Sequence, residues 1–177
     1  MKNLFIPFVI LILFVAGCSH SVSIVQSEAS LLKFTIRGDS MEPTLKNGDL
    51  VELDFGFYQN NPIQRNDLIA FKLKTVRKPY VKRVVALPGD KIEFQDGELF
   101  INDRRQVEDF LNSEIYIFST EDLKIISRTL NASNNTVPSN SYFVLSDNRI
   151  RKEDSRKFGF LPRQRIIGKV FPPTVRE

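Results

Sequence analysis

The sequence predicts a mainly β protein: a folded-sheet or barrel-like core with a small inserted lobe, preceded by an N-terminal signal or anchor segment. Three observations carry this. After residue 30, short runs rich in β-branched and aromatic residues alternate with Gly, Pro and Asn/Asp turn signals. No stretch of that region sustains a helical apolar period. Fifteen Phe and nine Pro with no Trp suit a loop-rich fold of short strands. The length of 177 residues fits one domain, and 42% apolar with 26% charged residues excludes wholesale disorder.

The elements follow in order. Leu31 to Arg37 reads as a strand running into Gly38-Asp39. Asp49 to Phe55 follows the turn Lys46-Asn47-Gly48, and Asp67 to Leu73 follows Gln64-Arg65-Asn66. Tyr80 to Leu87 runs into Pro88-Gly89-Asp90. Lys91 to Phe94 and Glu98 to Asn102 flank Asp96-Gly97, a strong two-residue hairpin signal. Tyr142 to Leu145 ends at Ser146-Asp147-Asn148, and Ile166 to Phe171 is stopped by Pro172-Pro173. Residues 103–141 differ in character, with a polar cluster from Asn131 to Asn140 and an aromatic patch from Tyr116 to Phe118. We read 31–102 and 142–177 as the β core and 103–141 as the inserted lobe or cap loop.

Residues 1–17 stand apart from the fold. Lys2 precedes an uncharged run from Leu4 to Ala16, about 20 Å of helix against the roughly 30 Å of a bilayer core. A basic start, an apolar stretch and small residues read as a secretory signal. Val15-Ala16-Gly17-Cys18 resembles a bacterial lipobox, in which the Cys thiol receives a lipid. The alternative is a short uncleaved anchor with Cys18 incidental. Either reading tethers the body to a membrane outside the cytoplasm, with residues 18–30 as a tether. Ser19 after the Cys would favour the outer membrane in lipoproteins of Gram-negative bacteria.

Composition narrows the chemistry. One Cys excludes an internal disulfide, and one His, His20, excludes a His-rich metal centre. His20 lies in the tether, so hydrolytic chemistry in the body needs something other than a Ser-His pair. A net charge of +4 without a long basic run gives no case for nucleic acid.

Four segments carry chemistry. Gly38-Asp39-Ser40-Met41-Glu42-Pro43-Thr44-Leu45 places a Ser in a sharp turn after a strand. A nucleophile needs such exposure, with backbone N–H groups facing the developing oxyanion. Gly38 has no Cβ to obstruct a scissile carbonyl. By residue type alone, Ser40 is an ordinary turn serine. In Tyr80 to Asp90, Lys82 sits inside an apolar β run. Such a Lys either snorkels to solvent or is buried with a depressed pKa, and in the second case it can serve as a general base. Ser146-Asp147-Asn148-Arg149, followed by Asp154-Ser155-Arg156, suits a buried hydrogen-bonded network, or an ordinary charged loop. Gly48-Asp49-Leu50-Val51 reads as a turn feeding a core strand.

In this order the segments resemble the bacterial type I signal peptidases, from about Phe34 to Gly168. The resemblance implies a serine endopeptidase with a Ser-Lys dyad and a mainly β core. It acts on the signal peptides of exported preproteins at a membrane surface and needs no metal or cofactor. It places the nucleophile on Ser40, the general base on Lys82 and a salt-bridged support on Arg83, Asp154 and Arg156. Asp147 and Arg149 match further structural positions. The Ser40 N–H donates to the oxyanion. Gly38 stands where many members carry a Ser hydroxyl, as in Gram-positive-type members. The implied substrate pockets accept small side chains, often Ala. Ser146 replaces a common Gly, Asn66 replaces another, and Lys152 replaces a Ser that often orients the base. A second ammonium at 152 either lowers the Lys82 pKa or points to water. These departures suit a peptidase with a restricted substrate set. Two other readings compete: a catalytically decayed lipoprotein, and a self-cleaving protein like the LexA-type repressors, which share the dyad but follow a DNA-binding domain not found here.

Overall fold

A computed structural model describes residues 31–74, 78–107 and 116–173. The segments 1–17 and 18–30, with Cys18 and His20, lie outside the described residues. Seven strands form one antiparallel sheet in the order β1-β2-β10-β3-β4-β8-β9. They are β1 (Leu31–Thr35), β2 (Leu50–Asp54), β3 (Leu68–Phe71), β4 (Tyr80–Ala86), β8 (Ser141–Leu145), β9 (Leu161–Pro162) and β10 (Ile166–Phe171). A second sheet of three strands joins β5 (Ile92–Gln95), β6 (Glu98–Ile101) and β7 (Arg104–Arg105).

The β5–β6 hairpin turns at Asp96-Gly97, both at positive φ (52° and 83°), as a two-residue turn requires. Central strands β3, β4 and β8 are almost continuously apolar and buried, because both faces of the sheet are covered. One apolar cluster joins Ile36, Met41, Leu45, Val51 and Leu68, and a second joins Ile69, Phe71, Val84 and Val144.

A third cluster packs Ile92, Leu99 and Ile101 of the second sheet against Ile126 and Leu130 of a helix. That helix, α2 (Thr120–Asn131), corrects the expectation that nothing after residue 30 is regularly helical. Its inward positions are Asp122, Ile126 and Leu130, four apart, so the stripe opens on an acid and is narrow. Its start is well marked: Ser119 caps the Asp122 N–H at 3.2 Å while Asp122 reaches back to the Ser119 N–H at 3.3 Å. The expected lobe of 103–141 thus contains α2 and β7, and β7 extends the β5–β6 hairpin. Two single-turn α-helices, α1 (Phe57–Asn60) and α3 (Ser155–Phe158), and a 3-10 turn at Arg163–Arg165 complete the described chain.

Candidate active site

The turn after β1 is anchored from below. Met41 and Leu45 are buried in the core, and Leu45 N–H donates to Met41 O at 2.8 Å. Ser40, between the exposed Gly38 and the buried Met41, is therefore held at the surface of a packed platform. Gly38 adopts φ 90°, and a Cβ there would meet no atom within 4 Å. Within the protein itself, backbone conformation rather than relief of a clash is what glycine supplies here.

Lys82 comes from the middle of β4, with Ile69 opposite it on β3. Its side chain is buried, and its Nζ lies 2.8 Å from Ser40 Oγ and 3.0 Å from Val81 O. Among the described residues, no carboxylate comes within ion-pair distance of it. Burial lowers its pKa from 10.5 to about 8, against the opposing pull of Asp154, Glu153 and Asp147. An ammonium at this place donates to Oγ. The neutral amine accepts the Oγ–H instead, and so can take that proton. Ser40 and Lys82 open onto a cleft of about 740 Å³ with apolar walls that include Leu32, Phe34, Ile36, Leu53 and Val81. An Oγ with an amine base, facing an apolar groove, is an arrangement suited to acyl transfer.

The loop from Ser146 to Arg156 supports this pair. Arg83 grips Asp147 with two bonds, Nε to Oδ1 at 2.8 Å and Nη2 to Oδ2 at 2.6 Å. The same guanidinium donates to Thr44 Oγ1 at 3.1 Å, which ties the serine turn to β4. Asp154 caps α3 and pairs with Arg156, Nη2 to Oδ2 at 2.7 Å. Arg156 also holds the carbonyls of Arg149 at 2.7 Å and Arg151 at 2.6 Å. Arg149 is buried and donates to Ser146 O at 2.9 Å. The support includes two close bridges, Arg83–Asp147 and Asp154–Arg156, and Arg156 also lies 3.5 Å from Asp122 Oδ1.

A family model for signal peptidase, peptidase S26, matches residues 2–174. The chain belongs to this family. The signal peptidase IB of Staphylococcus aureus (strain COL) is 36% identical over 143 residues, covering 77% of this chain and 74% of that protein. The signal peptidase I of Bacillus caldolyticus is 36% identical over 140 residues, covering 77% and 75%. A signal peptidase I structure from Enterococcus faecalis V583 aligns with a TM-score of 0.49 at 31% identity, over 62% of this chain and 97% of that one.

Within this S26 peptidase the structure brings together Ser40 and Lys82 directly, and Arg83, Asp147, Arg149, Asp154 and Arg156 around them. Lys152 pairs with a carboxylate of α2 while its side chain stays 37% exposed. Its Nζ sits 3.0 Å from Asp122 Oδ1 on α2, and this pairing raises its pKa. Ser146 is fully buried, and its N–H donates to Asp154 Oδ2 at 2.9 Å. Two further contacts went unread in the sequence. Asn148 bonds to the backbone of Asp39 and Ser40, and Arg151 clasps the Asp39 carboxylate at 2.9 and 3.0 Å through Nε. That Arg151 contact holds the Asp39 carboxyl below its usual range. Asn148 lies between two residues already singled out, the one sequence signal that marks it.

Proposed function

We propose that the protein is a serine endopeptidase that removes N-terminal signal peptides from exported preproteins, with Ser40 as nucleophile and Lys82 as general base. The observation that carries this is the 2.8 Å approach of a buried amine to Ser40 Oγ, with no carboxylate among the described residues within ion-pair distance of it. Neutral Lys82 takes the Oγ proton as Oγ bonds to the scissile carbonyl carbon. The carbonyl oxygen becomes an oxyanion, and the Ser40 N–H donates to it. The Lys82 ammonium then protonates the amide nitrogen, the C–N bond breaks and an ester on Ser40 remains. Water, giving a proton to Lys82, attacks that ester; the C–Oγ bond breaks and the proton returns to Oγ.

Arg83, Asp147, Arg149, Asp154 and Arg156 hold the dyad in register in this reading, and Gly38 leaves room for the substrate carbonyl. The apolar cleft suits an extended peptide with small side chains before the cut. Residues 1–17 act as a signal or anchor, and Cys18 is the site for a lipid. The body then works on the extracytoplasmic side of a membrane. No helix among the described residues is long and apolar enough to cross one. The short Ser40–Lys82 contact speaks against a decayed site.

The test is cleavage of a preprotein in detergent by the wild type and by Ser40→Ala. Loss of cleavage is expected, and retained cleavage rejects the mechanism. Cys18→Ala is expected to abolish acyl labelling and to release protein into the soluble fraction; unchanged labelling rejects the lipid site.

A further inference from the structure

A single backbone N–H serves as an oxyanion donor only if it is aimed. The Ser40 N–H belongs to the peptide plane that also carries the Asp39 carbonyl. In a trans peptide the two groups point in opposite directions. The cis bond in this turn is Glu42–Pro43, so the Asp39–Ser40 unit is trans. Whatever fixes the Asp39 carbonyl therefore fixes the Ser40 N–H.

Two donors hold that carbonyl. One is local, the Glu42 N–H at 3.1 Å within the turn. The other arrives from more than a hundred residues away: Asn148 Nδ2 at 3.2 Å. Asn148 grips the next plane as well, its own N–H donating to Ser40 O at 3.1 Å. Both peptide units flanking the Ser40 Cα are thus held by one residue. Asn148 is itself fixed, since its Oδ1 accepts the Ile150 N–H at 3.3 Å and its neighbours Asp147 and Arg149 are buried and bonded. Among the described residues, no hydrogen bond takes up the Ser40 N–H, which leaves it available to a substrate oxygen.

We infer that Asn148 is the positioning residue for the oxyanion donor, turning the Ser40 N–H toward the scissile carbonyl by holding the opposite end of its peptide plane. It touches neither substrate nor the reacting atoms. The inference rests on the proposed roles of Ser40 and Lys82. Gly38 supplies no side-chain hydroxyl here, so this aim carries more of the oxyanion's stabilisation than it would beside a second donor.

The test uses the full chain in detergent with Asn148→Ala and Asn148→Asp. Asn148→Asp keeps the side-chain shape and the main-chain bonds while removing the Nδ2 donor, and it carries the same test if Asn148→Ala does not fold. A mis-aimed rather than missing donor is expected to lower kcat about 10- to 100-fold. KM should stay within about twofold, because the donor acts on the transition state. Affinity for a peptide aldehyde, which forms a tetrahedral adduct on Ser40, should fall in parallel with kcat. Affinity for a non-cleavable substrate peptide should not change, and in Asn148→Ala, which adds no charge, the acid limb of the pH profile should stay in place. A kcat within about twofold of wild type, or a fall in kcat with aldehyde affinity unchanged, overturns the inference. Cleavage that survives Ser40→Ala instead removes the reading beneath it, so the two failures are distinguishable.

Discussion

Two lysines face the same residue from opposite sides of one strand. Ile69 of β3 stands opposite Lys82 of β4 and opposite Lys169 of β10. Both lysines lie inside apolar strand sequence, Tyr-Val-Lys-Arg-Val-Val for one and Ile-Ile-Gly-Lys-Val-Phe for the other. Their surroundings differ. Lys169 donates to Asp67 Oδ1 at 2.6 Å, with the Phe57 ring centroid 4.6 Å from its ammonium. Asp67 also accepts from the Tyr58 hydroxyl at 2.9 Å, so the pair is built into a network. Lys82 has a hydroxyl and a carbonyl for company, and burial lowers its pKa to about 8. The two lysines differ in burial as well as in partner, since the Lys169 side chain is 21% exposed, and burial without a counter-ion is what favours an uncharged amine.

The comparison breaks most sharply at the dyad. Ser40→Ala or Lys82→Ala should each lower preprotein cleavage by at least about a thousandfold, since the two act as a unit. A surviving activity in Lys82→Ala would make the two lysines equivalent. Next, Asp67→Asn removes the partner of Lys169 and weakens the acceptor of Tyr58. Chemical unfolding should show a loss of about 3 kcal/mol, as for breaking a partly buried pair, with the acid limb of the activity profile unmoved. A shift of that limb would mean that Asp67 also governs Lys82.

Lys82→Met sharpens the contrast in the opposite direction. The folded pKa of about 8 lies below the unfolded 10.5, so between those values the unfolded chain binds more protons and stability rises with pH. Below pH 8 the burial cost is present in full. The substitution should therefore stabilise the inactive protein at pH 7 by as much as about 3 kcal/mol, a gain that shrinks to nothing between pH 8 and 10.5. Thermal unfolding across that range measures it, and a pH-independent gain would place the ammonium in water. The gentlest probe is the activity profile itself. As Lys82 protonates, kcat/KM should fall about tenfold per pH unit below about 8. A profile flat down to pH 6 would contradict a base of that strength.

The strands were legible because their turns carry Gly, Pro and Asn/Asp at the breaks, as at Asp96-Gly97 and Pro172-Pro173. Helix α2 was not, because Asp122 occupies the first inward position of its stripe. The spacing of that acid from Ser119 is a capping-box signal, but its burial is explained only in three dimensions, where Lys152 and Arg156 lie 3.0 and 3.5 Å from it. The Ser40–Lys82 contact was foreshadowed by the order of the linked segments. Residue type alone would have picked Lys169 as readily as Lys82, because a counter-ion 102 positions away leaves no local trace. The same distance in sequence hid Asn148 and Arg151, whose partners lie 109 and 112 positions back.

One consequence of the Arg156 contacts concerns the enzyme's own survival. A protease with an open groove is surrounded by its own loops, and a bond is cut only where the chain can straighten into that groove. The segment from Arg149 to Arg156 contributes Arg151 and Glu153 to the lining of the cleft. Its carbonyls at 149 and 151 are pinned inward by a guanidinium that solvent does not reach. Held in this way, the loop reaches an extended form only by breaking those bonds, so it makes a poor strand for the cleft to take up.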